Sequence, residues 1–270
     1  MSLVDLSISK RCLNEGGATS NAPMTPNERS QALLDAVRGL SAGTHRIDEV
    51  RVHANTLRSL DISPMKSDDE RKAFWINIYN ALAHHAMHEK NMRGNMLFKL
   101  GFYDSSAYLI GLQVFSLNDI EHGILRCNRR SRVQLFRAFG SGDPRQEWML
   151  KSFDPRVHFA LHCGAQSCPP IRLYNLATIN EQLAIATDSY FAEHCVIDER
   201  AMRVVLPFLC RLYSDDFGTR DELKAFACKH VAEQHRRWLA EQSQRITWDY
   251  EKYNWTIDRT IRAFDPKYYL

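Results

Sequence analysis

The sequence lacks the features that mark several broad protein classes. No run approaches about 18 consecutive apolar residues, so we expect no membrane span. Residues 1–25 lack the basic start and the continuous apolar run of a secretory signal. The formal net charge is only +3 over 270 residues, and this small charge gives no support to binding of nucleic acid or of a membrane surface. These absences predict a cytoplasmic protein.

Common catalytic motifs are missing as well. There is no glycine-rich phosphate loop, no G-x-S-x-G elbow and no H-E-x-x-H helix, so the sequence predicts no cofactor. The seven cysteines are an odd number spread from Cys12 to Cys228, without the density of a disulfide scaffold. We expect most of them to be reduced thiols. The exception to consider is the local pair Cys163 and Cys168.

What the sequence does contain is typical of a soluble globular chain, with 44% hydrophobic and 25% charged residues. Apolar periodicity, caps and turn signals predict a series of elements. The predicted helices span residues 26–40, 44–60 (capped by Thr44), 68–92, 117–127, 176–194, 207–213 and 221–241, the predicted hairpins span 108–115 and 195–206, and residues 248–255 are expected to be extended. We divide the chain into a disordered tail (1–25), an N-terminal helical segment (26–62) and a domain (63–270).

The longest predicted helix, at residues 68–92, carries a polar stripe opposite its apolar one. Asn77, Asn80, His84 and His88 recur at helical spacing on this stripe. Such a stripe is more often a solvated face than a site. The alternative is that Asn77 and Asn80 are buried amides that organise a polar network.

The stretch DPRVHFALHCGAQSCPP, residues 154–170, is the most informative part of the sequence. Residues 157–161 form a short apolar run that predicts a strand. Period-two alternation would place His158 and His162 on the same face of this strand. The strand would lead into Cys163 and Gly164, and reactive groups are common at such strand-to-loop transitions.

Several kinds of chemistry fit this stretch. Cys163, or less favourably Cys168, could be a nucleophile activated by His158 or His122, with Glu121, Asp119 or Asn77 orienting the histidine. A metal site could use His158, His162, Cys163 and Cys168, although C-x4-C is not the tight zinc knuckle. Cys163 and Cys168 could also form a reversible disulfide, although the C-x-x-C spacing is absent. The structural alternative makes Cys163 a small buried hydrophobe and His158 a hydrogen-bonded core residue.

Six segments together resemble the family known as domain of unknown function 547. They are AFWINIYNA (73–81), FSLNDIEH (115–122), DPRVHFAL (154–161), CGAQSCPP (163–170), DDFG (215–218) and YNW (253–255). The resemblance covers roughly residues 45–258. Through this family the chain is distantly similar to papain-like and transglutaminase-like cysteine hydrolases. That similarity implies an α+β fold, with helices packed on a small antiparallel sheet.

The resemblance also shapes the functional expectation. A papain-like enzyme carries its cysteine at the start of the central helix, where this chain has FWIN at residues 74–77 and no cysteine. We therefore expect a thiol-dependent hydrolase or acyl transferase in which Cys163 attacks a small-molecule or peptide substrate. His158 or His122 would be the base, Glu121 would orient it, and Asn77, Asn80 and the amides near Gly164 would stabilise an oxyanion. The alternative is a non-enzymatic binding or scaffold domain in which these residues form a buried network.

Overall fold

A computed structural model of the chain describes residues 11–16, 23–99, 101–130, 136–242 and 245–261. Helices and short strands alternate along these residues. The α-helices are α1 (Pro26–Ala42), α2 (Ile47–Asn55), α3 (Asp68–Glu89), α4 (Gly101–Ser105), α5 (Ile179–His194), α6 (Phe208–Leu212), α7 (Arg220–His230) and α8 (Glu233–Gln242). The strands are β1 (Arg11–Cys12), β2 (Ser106–Ile110), β3 (Gln113–Ser116), β4 (Val196–Asp198), β5 (Arg203–Leu206) and β6 (Thr247–Tyr250).

The central element is α3. Its start is fixed by a capping box in which Ser67 accepts a hydrogen bond from the Glu70 backbone and Glu70 accepts one from the Ser67 backbone. Every residue from Arg71 to Met87 is buried, so other elements surround the helix on all sides. The solvated stripe expected on this helix is therefore wrong for Asn77, Asn80 and His84, each of which is 0% exposed.

The two buried amides of α3 hold a distant segment of backbone. The Asn80 side chain donates to the Ala160 carbonyl at 2.9 Å and accepts from the His162 N–H at 2.8 Å. The Asn77 side chain donates to the Tyr174 carbonyl at 2.8 Å and accepts from the Tyr174 N–H at 3.0 Å. Asn77 and Asn80 are therefore buried amides that organise a polar network, which was the alternative expected from the sequence. The amides fix both ends of residues 160–174, a stretch that contains both cysteines.

The strands form two small sheets, with orders β1-β2-β3 and β4-β5-β6. In each sheet one pair is an antiparallel hairpin, β2 with β3 and β4 with β5, and the third strand is parallel to its neighbour. The α+β class and both hairpins are confirmed. The single antiparallel sheet is replaced by two mixed ones, because β1 and β6 add to the hairpins from opposite ends of the described chain.

The N-terminal part of the chain contributes to the main core. Leu33, Leu34 and Val37 of α1 and Val50 of α2 belong to the same buried cluster as α3. Within the predicted tail, Arg11–Cys12 pairs with β2, and the buried Asn14 donates to the Ala54 and Leu109 carbonyls. Residues 11–16 are thus part of the fold, which corrects the prediction for them. Residues 1–10 and 17–22 of the predicted tail lie outside the described residues.

Three predicted elements differ from the observed ones. The helix predicted from Thr44 begins at Ile47, after Arg46, whose N–H is bonded to Glu49. The helix predicted at 117–127 is a π-helix over Asp119–Leu125. The helix predicted at 221–241 is split into α7 and α8 at Val231, which has extended dihedral angles. Among the described residues, no helix is long and apolar enough to cross a bilayer.

The strand predicted at residues 157–161 is also wrong. Pro155–Phe159 is a short 3-10 helix, which Asp154 caps by accepting a hydrogen bond from the Arg156 N–H. Proline in the first turn and an aspartate before it favour a helical start, and here they outweigh the preference of an apolar run for a strand. His158 and His162 therefore do not share a strand face.

Substitution of Asn80 tests how much the fold depends on the amide bonds. We expect Asn80→Ala to lower the free energy of unfolding by about 3 kcal/mol, because it leaves two buried backbone groups unpaired. Urea denaturation measures this loss. The control is Asn254→Ala, at an exposed amide, with an expected cost below about 1 kcal/mol. Equal costs for the two variants would contradict the role given to Asn80.

Candidate functional site around the Cys163–Cys168 pair

Gly164 shapes the loop that carries the two cysteines. Its φ is 101°, in the region that favours glycine, and a Cβ atom placed there would lie 2.5 Å from Sδ of Met87. The loop therefore lies directly against α3. Since Asn80 holds the residues just before it, the position of both cysteines is set by this helix.

The two thiols are in contact. The Sγ atoms of Cys163 and Cys168 are 3.0 Å apart, longer than the roughly 2.05 Å of a disulfide bond, so both are free thiols. Sγ of Cys168 also accepts from the Ala165 N–H at 3.3 Å and lies 3.2 Å from the Tyr253 hydroxyl. Cys168 is buried and Cys163 is half-buried. The pair therefore joins a half-buried residue to a buried one whose sulfur has several hydrogen-bond partners.

The surroundings of the pair favour a thiolate on Cys168. Burial alone would raise the pKa of Cys168, but the Cys163 thiol, the charge of His162, the Tyr253 hydroxyl and the Ala165 N–H together lower it to about 5. The hydrogen bond with Cys168 and burial raise the pKa of Cys163 well above its ordinary value. The two pKa values move in opposite directions, so the contact favours a thiolate on Cys168 and a thiol on Cys163.

Tyrosines separate the thiol pair from a buried carboxylate. The Glu121 carboxylate accepts from the Tyr79 hydroxyl at 2.9 Å and from the Tyr213 hydroxyl at 2.6 Å. Burial, followed by the charges of Glu121 and Cys163, raises the pKa of Tyr79 well above its ordinary value. The Cys163 thiol therefore lies near this pair of hydroxyls. Tyr103 lies on the same side, with its hydroxyl 3.5 Å from the Cys163 carbonyl.

A cluster of polar and charged side chains surrounds the buried Asp216. Its carboxylate accepts from Nε2 of His158 at 2.9 Å, from Nε of Arg126 at 2.6 Å and from Nη1 of Arg129 at 3.3 Å. The His158 ring is stacked on Tyr213 with the centroids 3.8 Å apart. Since Tyr213 also binds Glu121, this tyrosine connects the charged cluster to the surroundings of Cys163.

The charges in this cluster depend on one another. Burial raises the pKa of Asp216, but the hydrogen bonds from His158 and Arg126 outweigh it, and the pKa falls well below its ordinary value of 3.8. Burial lowers the pKa of His158 in spite of Asp216. A neutral His158 donates from Nε2 to Asp216, which leaves a lone pair on its buried Nδ1. This atom has no hydrogen-bond partner in the described part of the chain.

The residues proposed as catalytic occupy different places in this arrangement. Cys163 belongs to the thiol pair and His158 to the Asp216 cluster. His122 Nδ1 accepts from Nη1 of Arg126 at 2.8 Å and lies 3.7 Å from the Glu121 carboxylate. The amides of Asn77 and Asn80 are engaged with loop backbone. Among the described residues, no group of three or more His, Cys, Asp or Glu side chains is arranged to hold a metal ion.

Three residues of the site had no assigned role in the sequence-based hypothesis. They are Tyr213, Asp216 and Tyr253, which follow the thiol loop by about 45 to 90 residues of chain. Asp216 and Tyr253 do lie in the DDFG and YNW segments, so the resemblance contained a signal for them. A cavity of 540 Å³ lined by Gln113, Val114 and residues 140–145 contains none of the candidate residues.

The comparison with protein families agrees with the resemblance seen in the sequence. The model of the family described as "Protein of unknown function, DUF547" matches residues 62–191. This segment is a DUF547 domain. No curated protein and no solved structure matches the chain.

The DUF547 match covers only part of the site. It includes α3, the first hairpin, the π-helix and the thiol loop. It is narrower than the span of roughly residues 45–258 over which the resemblance was expected. Tyr213, Asp216 and Tyr253 lie beyond its end at residue 191. In this chain the DUF547 segment and the residues that follow it build the site together.

The charged cluster gives a prediction on stability. We expect Asp216→Ala to lower the free energy of unfolding by about 3–5 kcal/mol at neutral pH, because it leaves Arg126 buried without its counter-charge. The lowered pKa of Asp216 means that this contribution is present in full above the ordinary carboxyl pKa of 3.8 and is lost as the pH falls toward the folded pKa.

Denaturation curves of wild type and Asp216→Ala at a series of pH values would test this expectation. The difference between the two should shrink as the solution becomes more acidic than the ordinary carboxyl pKa. Asp215→Ala, at the exposed neighbouring aspartate, is the matched control and should cost less than about 1 kcal/mol. A pH-independent difference would contradict an ionised Asp216.

Proposed function

We propose that the Cys163–Cys168 pair is a redox-active dithiol that reduces disulfides by thiol–disulfide exchange. The observation that carries this proposal is the 3.0 Å contact between the sulfur of a half-buried cysteine, Cys163, and that of a buried one, Cys168. We further propose a cytoplasmic location, since a reducing compartment would keep the pair in its dithiol form.

The geometry assigns different steps to the two sulfurs. Cys163 is the more accessible and attacks one sulfur of the substrate disulfide, RSSR, after passing its proton to Cys168 across their contact. This step forms a mixed disulfide between Cys163 and R and releases RS⁻. Cys168 then loses its proton and attacks Sγ of Cys163, which releases the second RS⁻.

The overall reaction balances. The pair starts as one thiol and one thiolate, loses two electrons and one proton, and becomes the Cys163–Cys168 disulfide. RSSR takes up the two electrons, this proton and a second proton from outside the pair, and becomes two RSH molecules. A second thiol compound of the cell returns the disulfide to the dithiol by the reverse exchange. The sulfur contact supports the second step in particular, because the resolving thiol is already next to its target.

Acyl transfer by Cys163, as a hydrolase or acyl transferase, is the second candidate. It is favoured by the Tyr103 hydroxyl, which lies 3.5 Å from the Cys163 carbonyl and also hydrogen-bonds to the Cys163 thiol, where it lowers the pKa of that thiol. A hydroxyl so placed could donate to a developing oxyanion. In this alternative the Cys168 thiolate is one candidate for the base that takes the proton of Cys163. His158 and His122, expected as the base from the sequence, remain the other candidates.

Reaction with oxidised glutathione distinguishes these functions. We expect the wild-type protein to convert oxidised glutathione into two thiols and to accumulate the Cys163–Cys168 disulfide. Cys168→Ser should stop at a mixed disulfide between Cys163 and glutathione, because the resolving sulfur is missing. Acid quenching, alkylation and peptide mass spectrometry measure each species. Cys210→Ser, at a buried thiol outside the pair, is the control and should behave as wild type.

Other outcomes would point away from the redox proposal. If no disulfide forms and an activated ester instead acylates Cys163, the acyl-transfer function is favoured. If Cys163 reacts with neither reagent until the protein unfolds, the pair is structural. The chain would then be better described as a binding or scaffold domain.

A further inference from the structure

Two histidines meet between α3 and the thiol loop, and no role has yet been given to them. The ring centroids of His84 and His162 are 4.8 Å apart, and the residues are 0% and 5% exposed. Among the residues that the structure describes, neither ring nitrogen of His84 has a hydrogen-bond partner, and neither does Nε2 of His162. A buried polar atom without a partner costs about 1–3 kcal/mol, so three such atoms in one place point to a function.

The hydrogen bonds of His162 fix its tautomer. Its Nδ1 lies 2.8 Å from the Pro169 carbonyl, which can only accept, so Nδ1 carries the hydrogen. Nε2 of the neutral ring is therefore a bare lone pair. Asn80 holds the backbone N–H of the same residue, which leaves the ring little freedom to turn. The free basic atom of His162 is thus buried and fixed next to the thiol loop.

We propose that His162 takes up at Nε2 the proton that the Cys163–Cys168 pair releases, and so supplies the positive charge that balances the thiolate. The proposal rests on the redox function proposed above. His162 precedes Cys163 in the chain, and its ring is bonded to the carbonyl of Pro169, the residue after Cys168, so the ring lies beside the pair. An imidazolium beside a thiolate is an arrangement that stabilises both.

The neighbouring groups leave His162 as the carrier of this proton. On the side of α3 it faces His84, and beyond His84 lie His88 and the Arg259 guanidinium, which is 3.2 Å from Nδ1 of His88. Burial, and then the charges of His162 and His88, lower the pKa of His84 well below its ordinary value, so His84 is neutral. Within the thiol loop, the titratable groups next to His162 are Cys163, its neighbour in the chain, and Cys168, which precedes the Pro169 that His162 binds.

The proposal completes the proton balance of the reaction. The reduced state holds one proton on the thiol pair and one on His162. When the disulfide forms, the thiolate disappears and the buried imidazolium loses its counter-charge, so His162 releases its proton. Both protons that RSSR needs are then supplied by the protein.

A variant of His162 tests the proposal through the pH dependence of alkylation. His162→Asn keeps an amide N–H that can reach the Pro169 carbonyl but has no basic nitrogen, so a purely structural role survives the change. The alkylation rate of the pair rises with pH and has an inflection at the apparent pKa of the thiols. We expect the pH of this inflection to be higher by about one unit or more in His162→Asn. The control is His235→Asn. His235 lies on α8 and is bonded to Glu199, and its substitution should leave the pH of the inflection unchanged.

An unshifted inflection in folded His162→Asn would overturn the proposal. If that variant fails to fold, the wild-type protein provides a second test. Its oxidation by oxidised glutathione at neutral pH, followed with an indicator dye in weak buffer, should take up no protons from solution. Uptake of about one proton per dithiol would mean that no imidazolium was present. A failure of the redox function would look different, since no disulfide would form at all.

Discussion

The fold around the thiols depends on the two buried amides of α3. Each amide donates to a loop carbonyl and accepts from a loop N–H, so it offers the backbone what a neighbouring strand would offer. The loop can therefore run through the interior without joining a sheet. Because Asn77 and Asn80 lie one turn apart on a helix that is buried on every side, the segment they hold is positioned by the core of the molecule.

Buried carboxylates and a thiol pair, which all favour a negative charge, lie close together near this loop. The Asp216 cluster neutralises its carboxylate with Arg126, Arg129 and a hydrogen bond from His158. The Glu121 carboxylate accepts from two tyrosine hydroxyls. Burial raises its pKa, but the charge of His122, the hydrogen bond from Tyr213 and the charge of Arg126 outweigh burial and lower it. A thiolate near two carboxylates would be unfavourable without such compensation. The tyrosines allow the acidic cluster and the thiol pair to lie close together.

Local signals predicted the helices and hairpins well, because caps, turn residues and apolar periodicity act within a few residues. The capping box of Ser67 and Glu70 begins α3, and the hairpin of β2 and β3 forms where alternation and glycine predict it. Where the local signals conflicted, the prediction failed. The apolar run at residues 157–161 favoured a strand, but Asp154 and Pro155 start a 3-10 helix.

The site was predicted less completely, for reasons of distance. Cys163, Cys168, Glu121 and His158 stood out by residue type and by resemblance to DUF547. The burial of Asn77 and Asn80 depends on partners 80 to 97 residues away, and local periodicity carries no information about these. The contact of Asp216 with His158 spans 58 residues.

The C-terminal residues 254–258 also cross the thiol loop, with Thr256 bonded to Gln166 and Asp258 to Gly164. During synthesis the loop and its thiols must therefore wait for residue 258 before they can reach their final arrangement, and until then the nascent chain presents two unpaired, unshielded cysteines to the cell.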